Sequence, residues 1–124
     1  MTQPLALVLY ERLLPGSQLV NRLQDLNYRV HTLTDASSLV ESAEQAKPLL
    51  VVADLEGARD KALAAFTRLK QNPTTRHLPI IAFSSEDTPE LKAAALSAGV
   101  TLLVGEAAIV THLPQILEQA LQVE

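Results

Sequence analysis

Five short apolar runs, each followed by a longer amphipathic stretch, constrain the fold of this 124-residue chain more than any other sequence feature. Four of the runs are continuously apolar, whereas the second alternates apolar with polar residues. Continuously apolar strands are typical of a parallel sheet that is covered by helices on both faces, and an alternating strand suits the edge of a sheet. The predicted strands are 5–9, 28–34, 48–54, 79–84 and 100–104.

The stretches between these runs carry apolar residues at helical spacing, which predicts a (βα)₅ chain. Ser17 is a candidate N-cap for the first helix. The segment 88–99 has Thr88 in the capping position, Pro89 at the first helical position and a glycine at its end. Pro114 is expected in the first turn of the last helix, where a missing N–H does little harm. The apolar stripes are Leu19, Val20, Leu23 and Leu26; Leu39, Val40, Ala43 and Ala46; Ala62, Leu63, Phe66 and Leu69; and Ile116, Leu117, Ala120 and Leu121.

Composition and charge narrow the class of protein. The length suits one domain, residues 1–124, and 48% apolar with 19% charged residues is ordinary for a globular chain. The net charge of −4 argues against nucleic-acid binding, which needs a basic surface. The absence of cysteine fits a reducing compartment, so we expect a cytoplasmic protein. The N-terminal apolar run is too short for a membrane span and lacks a basic leader, so no membrane partner is expected.

Polar side chains follow four of the five predicted strands. Tyr10 and Glu11 follow the first strand, Asp54 ends the third, Ser84 ends the fourth and Glu106 follows the fifth. Ligands of parallel α/β sheets bind at the carboxyl ends of the strands. These residues are therefore the predicted pocket.

Three stretches of the sequence resemble the receiver domain of response regulators, the phosphoacceptor module of two-component signalling. They are KPLLVVADLEG, LKQNPTTRHLPIIAFSS and ELKAAALSAGVTLLV, and together they follow the order expected of that family. The resemblance covers essentially the whole chain. It implies an α/β fold of the flavodoxin-like, doubly wound (βα)₅ type, with five parallel strands in the order 2-1-3-4-5.

The resemblance assigns roles to some of the pocket residues. Asp54 takes the phosphoacceptor position, and Ser84 takes the position of the hydroxyl that contacts the phosphoryl oxygens. The acidic pair that holds Mg²⁺ in the family is replaced by Tyr10 and Glu11. Glu11 and Asp54 are then the remaining metal ligands, which is a thin set for an ion that wants several oxygen ligands.

Two further family positions are altered in this chain. The lysine that contacts the phosphoryl group falls on Glu106, or on Gly105 with a shift of one residue, and neither is cationic. A glutamate would repel a phosphoryl group, whose transfer depends on neutralising its charge. The aromatic residue that relays the switch falls on Leu103, which has no comparable rotamer change.

These departures predict a degenerate receiver, or pseudo-receiver, that acts by protein–protein interaction with little or no phosphorylation at Asp54. No cofactor is expected, and Mg²⁺ binding is expected to be weak at best. The expected partners are a histidine kinase or another signalling protein, and a second copy of the chain through the face of the fourth helix, fifth strand and fifth helix. On that face, apolar residues exceed what one inner stripe needs, although ordinary packing is an alternative explanation; they are Ile109, Val110, Leu113 and Leu117.

Two other functions remain open. The first is a conventional response regulator in which Asp54 is phosphorylated in the presence of Mg²⁺ despite these substitutions. A flavodoxin-like domain that binds a small ligand would use the same sheet edge, but no glycine-rich phosphate loop follows the first strand. Enzymatic activity is not expected, because Ser84 has no evident histidine partner. His31, His77 and His112 are scattered, and their spacing does not suggest a metal site.

Overall fold

Strands and helices alternate along the chain in the computed structural model, which describes residues 4–10, 13–55, 59–85 and 88–122. No helix within these ranges is long and apolar enough to cross a membrane. The strands are β1 (Leu5–Leu9), β2 (Arg29–Leu33), β3 (Leu50–Asp54), β4 (Ile80–Ser84) and β5 (Leu102–Gly105). The helices are α1 (Leu13–Asp25), α2 (Leu39–Ala46, preceded by a 3₁₀ turn at Ala36–Ser38), α3 (Arg59–Gln71), α4 (Pro89–Ser97), α5 (Glu106–Thr111) and α6 (Leu113–Gln122).

The five strands form one parallel sheet in the order β2-β1-β3-β4-β5. This confirms the predicted flavodoxin-like α/β fold and strand order. β3 and β4 are buried along their whole length, as the continuously apolar runs predicted. β2 is an edge strand on which Arg29, His31 and Thr32 are exposed, as its alternating sequence indicated.

Two apolar cores cover the two faces of the sheet. The first contains Leu7, Val51 and Ile80 of the strands, packed against buried residues of α2, α3 and α4. The second contains Val52 and Phe83, packed against buried residues of α1, α5 and α6. Since side chains on a strand alternate between faces, successive residues of a buried strand contribute to opposite cores.

The predicted N-cap at Ser17 is wrong. α1 begins at Leu13, so Ser17 lies inside the helix. Pro15 is then the third helical residue, and it is tolerated because the first four N–H groups of a helix have no intrahelical acceptor. A proline followed by a glycine was therefore compatible with the first turn of the helix and did not mark its boundary.

The predicted ends of α4 are confirmed. Thr88 is the N-cap, and its Oγ1 accepts a hydrogen bond from the Leu91 N–H at 3.2 Å. Pro89 occupies the first helical position. Gly99 follows the helix in the left-handed region with φ +97°, a backbone conformation that glycine adopts without strain.

The last helical segment is divided in two, which the sequence analysis did not predict. His112 separates α5 from α6, and Pro114 lies in the first turn of α6 as expected. Proline has no N–H to donate to the carbonyl of Val110, and its ring crowds that carbonyl. Backbone hydrogen bonds are made on both sides of this position. The His112 N–H donates to the Ala108 carbonyl at 2.8 Å, and the Ile116 N–H donates to the His112 carbonyl at 3.0 Å.

The two glycines of the α4–β5–α5 region provide a matched test of this backbone. We expect Gly99→Ser to lower the free energy of unfolding by about 2 kcal/mol, because a non-glycine residue is strained at this φ and its Cβ would clash with the Cγ of Lys70. At Gly105 an added Cβ meets no atom within 4 Å, so Gly105→Ser should change the free energy by less than about 0.5 kcal/mol. Urea denaturation measures both, and equal midpoints for the two variants would contradict this account.

Candidate functional site

The register of the sheet sets the candidate site residues level with one another. Asp54, the last residue of β3, pairs with Phe83, and Ser84, the last residue of β4, pairs with Gly105. Glu106 begins α5 immediately after this point. The carboxyl ends of β3, β4 and β5 therefore bring Asp54, Ser84 and Glu106 to the same edge of the sheet.

Asp54 is held at this edge by the strands beside it. Only 6% of the residue is exposed. The parallel pairing continues one residue beyond it, since the Leu55 N–H donates to the Phe83 carbonyl at 3.0 Å. Within the part of the chain that the structure describes, every buried side-chain nitrogen or oxygen has a hydrogen-bond partner. The carboxylate thus occupies a defined position at the end of a buried strand.

Tyr10 stands where the resemblance places one acid of the metal-binding pair. Leu9 pairs with Ala53, so the next residue of each strand, Tyr10 and Asp54, are level. Tyr10 is half-buried and packs against the core beneath α1, α5 and α6. Its N–H donates to the Leu33 carbonyl at 2.9 Å. An aromatic side chain therefore occupies this position beside Asp54. Glu11, the other member of the pair, lies outside the described residues.

An open cleft of about 540 Å³ lies between α4 and the end of β5. Ser84 and Glu106 both line it, so the structure brings these two predicted residues together. Ser84 is buried, whereas Glu106 is half-buried. The lining comprises Ser84, Ser85, Lys92, Leu103, Val104, Gly105, Glu106 and Ala107.

Lys92 is a cleft residue that the sequence analysis missed. It lies in the first turns of α4, and its exposed side chain lines the same cleft as Ser84. The family motif concerns residues that follow strands, and Lys92 comes from a helix. A sequence signal for it exists, since the capping sequence at Thr88 fixes the start of α4 just beyond β4 and puts Lys92 four residues into it.

The cleft combines both signs of charge on an apolar wall. Ser84, Ser85 and Lys92 can donate hydrogen bonds, while the carboxylate of Glu106 can only accept them. Lys92 lies in α4, and Glu106 is the first residue of α5, directly after β5. An anion held against Ser84 would therefore face both the Lys92 ammonium and the Glu106 carboxylate.

A further carboxylate adds negative charge at this edge of the sheet. Asp35 follows β2 and caps the 3₁₀ turn, where it accepts hydrogen bonds from the Ser37 N–H at 2.9 Å and the Ser37 hydroxyl at 2.8 Å. These bonds, the backbone one foremost, lower the pKa of Asp35. Asp35 thus stays ionised to lower pH than an ordinary aspartate, although as a fully exposed group it is screened by solvent and salt.

The described donor set at this edge does not by itself fit a magnesium ion. Mg²⁺ requires several oxygen ligands in near-octahedral geometry. Among the described residues there is no group of three acidic or histidine side chains that could hold a metal. Asp54 supplies one carboxylate, and the neighbouring strand contributes Tyr10 in place of an acid.

Leu103 forms part of the wall of the cleft. It is half-buried, pairs with Ala82 and packs against the core beneath α2, α3 and α4. The resemblance puts an aromatic switch residue here. Leucine presents only an aliphatic surface to the cleft, with no ring to turn and no hydroxyl to expose.

Comparison with solved structures identifies the fold. The chemotaxis protein CheY4 of Vibrio cholerae superposes with a TM-score of 0.86 at 18% identity, over 96% of this chain and 99% of that one. The response regulator domain of Thermotoga maritima CheB gives a TM-score of 0.82 at 18% identity, over 99% of each chain. The beryllofluoride-activated receiver domain of Klebsiella pneumoniae RstA gives 0.83 at 16% identity, over 95% of this chain and 98% of that one.

These structures define the class of fold to which the chain belongs. It has the fold of response-regulator receiver domains, over nearly its whole length. No protein-family model matches the sequence, and neither does any curated protein. At identities this low, the likeness establishes the architecture, and the function has to be argued from the residues of the site.

Proposed function

We propose that this chain is a receiver-like module of a two-component or phosphorelay system that acts by protein–protein interaction, with little or no phosphorylation at Asp54. The receiver fold supports the signalling role. The substitutions at the carboxyl edge of the sheet support the loss of phosphoryl chemistry. On this proposal the chain is a pseudo-receiver without enzymatic activity of its own, and it works in the cytoplasm.

The observation that carries the proposal is the position of Glu106. It lines the same cleft as Ser84 and directly follows the end of β5, where the family has its lysine. A phosphoryl group on Asp54 that reached toward Ser84 would face a carboxylate in place of an ammonium. Electrostatic stabilisation of developing charge is a main source of catalysis in such reactions, and removal of one preorganised donor from an oxyanion hole lowers the rate by about 10²–10³.

Phosphoryl transfer to Asp54 also requires Mg²⁺, and the carboxyl edge of the sheet offers few ligands for this ion. Without the acid that Tyr10 replaces, Asp54 and Glu11 are the carboxylates left for the ion. The proposal is that Mg²⁺ binds weakly at best and that no cofactor is needed. Phosphoryl transfer would then lack both the positive charge of the family's lysine and a tightly bound Mg²⁺.

We further propose that the face of α4, β5 and the predicted fifth helix, which the structure divides into α5 and α6, docks a partner, either a second copy of the chain or a signalling protein such as a histidine kinase. Three of the four residues predicted for this role, Ile109, Leu113 and Leu117, are buried core residues, and the fourth, Val110, is half-buried. The exposed apolar residue of this face is Leu96 on α4, with 57% of its surface accessible. β5 beside it is an edge strand whose Leu102, Leu103 and Val104 are only half-buried.

One observation favours the conventional alternative, a phosphorylatable receiver. Lys92 lines the cleft with Ser84 and could supply a cation from α4 in place of the missing lysine. The two functions differ in one outcome, which is whether Asp54 accepts a phosphoryl group in the presence of Mg²⁺.

The phosphorylation test uses acetyl phosphate with Mg²⁺ and intact-mass measurement. We expect almost no phosphoryl adduct on the wild-type chain, and at least about a tenfold higher yield for Glu106→Lys, because the variant replaces repulsion by attraction at the phosphoryl oxygens. Glu106→Gln, which removes the repulsion but adds no cation, should lie between the two.

The control for this experiment is Asp54→Asn, which should show no adduct in any background. A clear adduct on the wild-type chain that Asp54→Asn removes would overturn the proposal. If Lys92→Gln also removed that adduct, the conventional phosphoacceptor with its cation on α4 would be the correct function.

The docking face is tested by sedimentation over a range of protein concentrations. We expect the wild-type chain to self-associate and Leu96→Glu to weaken that association by at least about tenfold, because a charge would be buried without a partner. Leu49→Glu is the matched control, since Leu49 is the other large apolar residue that is exposed in the described part of the chain, at 42%, and it directly precedes β3, two strands away from β5. A wild-type chain that stays monomeric throughout would rule out the second copy as the partner.

A further inference from the structure

A second cavity, of about 230 Å³, lies between the end of α2 and the loop that joins α3 to β4. Its position follows from the chain order, because the lining residues directly precede β3 and β4. It therefore opens at the amino ends of the strands, whereas Asp54 lies at the carboxyl ends. The lining residues are Ala43, Lys47, Pro48, Thr74, His77 and Leu78.

The two walls of this cavity are tied to each other. The Asn72 side-chain amide donates to the Glu44 carboxylate at 2.9 Å, which links the loop to α2. The Asn72 side-chain oxygen in turn accepts from the Thr74 N–H at 2.9 Å. These hydrogen bonds link the loop to α2 across the cavity.

Side-chain hydrogen bonds also stabilise the conformation of the loop between α3 and β4. The Lys70 ammonium donates to the carbonyls of Arg76 at 3.2 Å and Leu78 at 2.8 Å. The buried Thr75 hydroxyl donates to the Leu69 carbonyl at 2.7 Å. A loop of this length without regular structure is held in one conformation by such side-chain bonds, so the cavity is largely preformed.

The cavity has an apolar floor and a polar rim. Ala43, Pro48 and Leu78 are buried and form the apolar part. Lys47 and His77 are exposed at the rim, together with Thr74.

The rim favours an anion. The Lys47 backbone is in the left-handed region at φ 51°, and its N–H donates to the Ala43 carbonyl at 3.0 Å, which fixes the point from which its ammonium extends. None of the described residues that line this cavity is a carboxylate.

The size of the cavity limits the ligand. Pockets for drug-sized molecules and cofactors run from about 300 to 1,000 Å³, so a nucleotide is too large. A dry aliphatic cavity of about 150 Å³ takes up benzene, so this one has room for a branched chain of a few carbons. An apolar floor beneath donors and a cation matches a molecule with an aliphatic tail and an anionic head.

We propose that this cavity binds a short aliphatic carboxylate, with its chain on Ala43, Pro48 and Leu78 and its carboxylate on Lys47, Thr74 and His77. The carboxylate belongs either to a small free acid or to the C-terminal residue of a peptide. This site is separate from the cleft at the carboxyl edge, and it is independent of the role proposed for Asp54.

Two-dimensional ¹H–¹⁵N NMR of the full chain tests the proposal with sodium 4-methylpentanoate as the probe. We expect saturable shifts confined to the amides of 43–47 and 74–78, with a Kd of about 1 mM. Acetate should bind on the order of 100-fold more weakly, because each buried methylene contributes about fourfold. The neutral analogue 4-methylpentanamide should also bind much more weakly.

Lys47→Gln is the informative variant. Loss of one charge-assisted hydrogen bond should raise the Kd roughly tenfold. The matched control is Lys61→Gln, an exposed lysine at the start of α3 and at the other end of the sheet, which should leave the Kd unchanged. The dispersed spectrum of each variant verifies that it is folded.

The source of the carboxylate is distinguished by a second titration, with a short peptide that ends in leucine and with the same peptide as its C-terminal amide. Tighter binding of the free peptide than of the acid supports the proposal and indicates a protein ligand, while weaker binding supports it and indicates a small acid. Absence of saturable shifts with both probes, equal binding of acid and amide, or an unchanged Kd in Lys47→Gln would overturn it.

Discussion

The level register of the parallel strands is the constraint on which the rest of the structure depends. β3 and β4 are buried on both faces, and a slip of one residue would move every side chain to the opposite core. The pairing of Asp54 with Phe83 and of Ser84 with Gly105 is thereby fixed by the buried apolar side chains of both cores, most of which lie far from the site. The packing of the two cores therefore determines the positions of Asp54 and Ser84. The side chains at the carboxyl edge can change without disturbing the fold.

Because the fold does not depend on the chemistry of the carboxyl edge, this edge can carry two carboxylates, Asp54 and Glu106. A strand can end in a buried carboxylate when the carboxylate oxygens are hydrogen-bonded, and every buried side-chain oxygen among the described residues has a partner. Glu106 is the first residue of α5, two strands away at the same edge of the sheet, where a negative charge is stabilised by the helix dipole. The same charge is unfavourable for a phosphoryl group against Ser84. The open cleft there has polar groups on an apolar wall, with Lys92 as a cation among its lining residues.

The sequence predicted the sheet well and the site unevenly, for physical reasons. Continuous apolar runs indicated burial on both faces, which is correct for β3 and β4, and the alternating run indicated the exposed edge at β2. The same rule was wrong for β5, an edge strand that is only half-buried, because an apolar run does not show whether a neighbouring strand covers its outer side. The N-cap prediction at Ser17 failed because proline is as acceptable inside the first turn of a helix as before it. Lys92 and the pocket at Lys47 could not be found from strand ends, because both depend on which helix packs beside which loop. Ile109, Leu113 and Leu117 are more apolar residues than one helical stripe needs because they belong to two short helices, α5 and α6. Both helices pack against the same core, which also contains Val52 and Phe83.

Binding of beryllofluoride is the most direct test of the central claim, since this anion mimics a phosphoryl group on an aspartate and needs no chemical step. ¹⁹F NMR of the wild-type chain with beryllofluoride and excess Mg²⁺ would detect any bound species. We expect no protein-bound fluorine signal for the wild-type chain. A sharp bound signal that disappears in Asp54→Asn would contradict it, and the chain would then be a working phosphoacceptor.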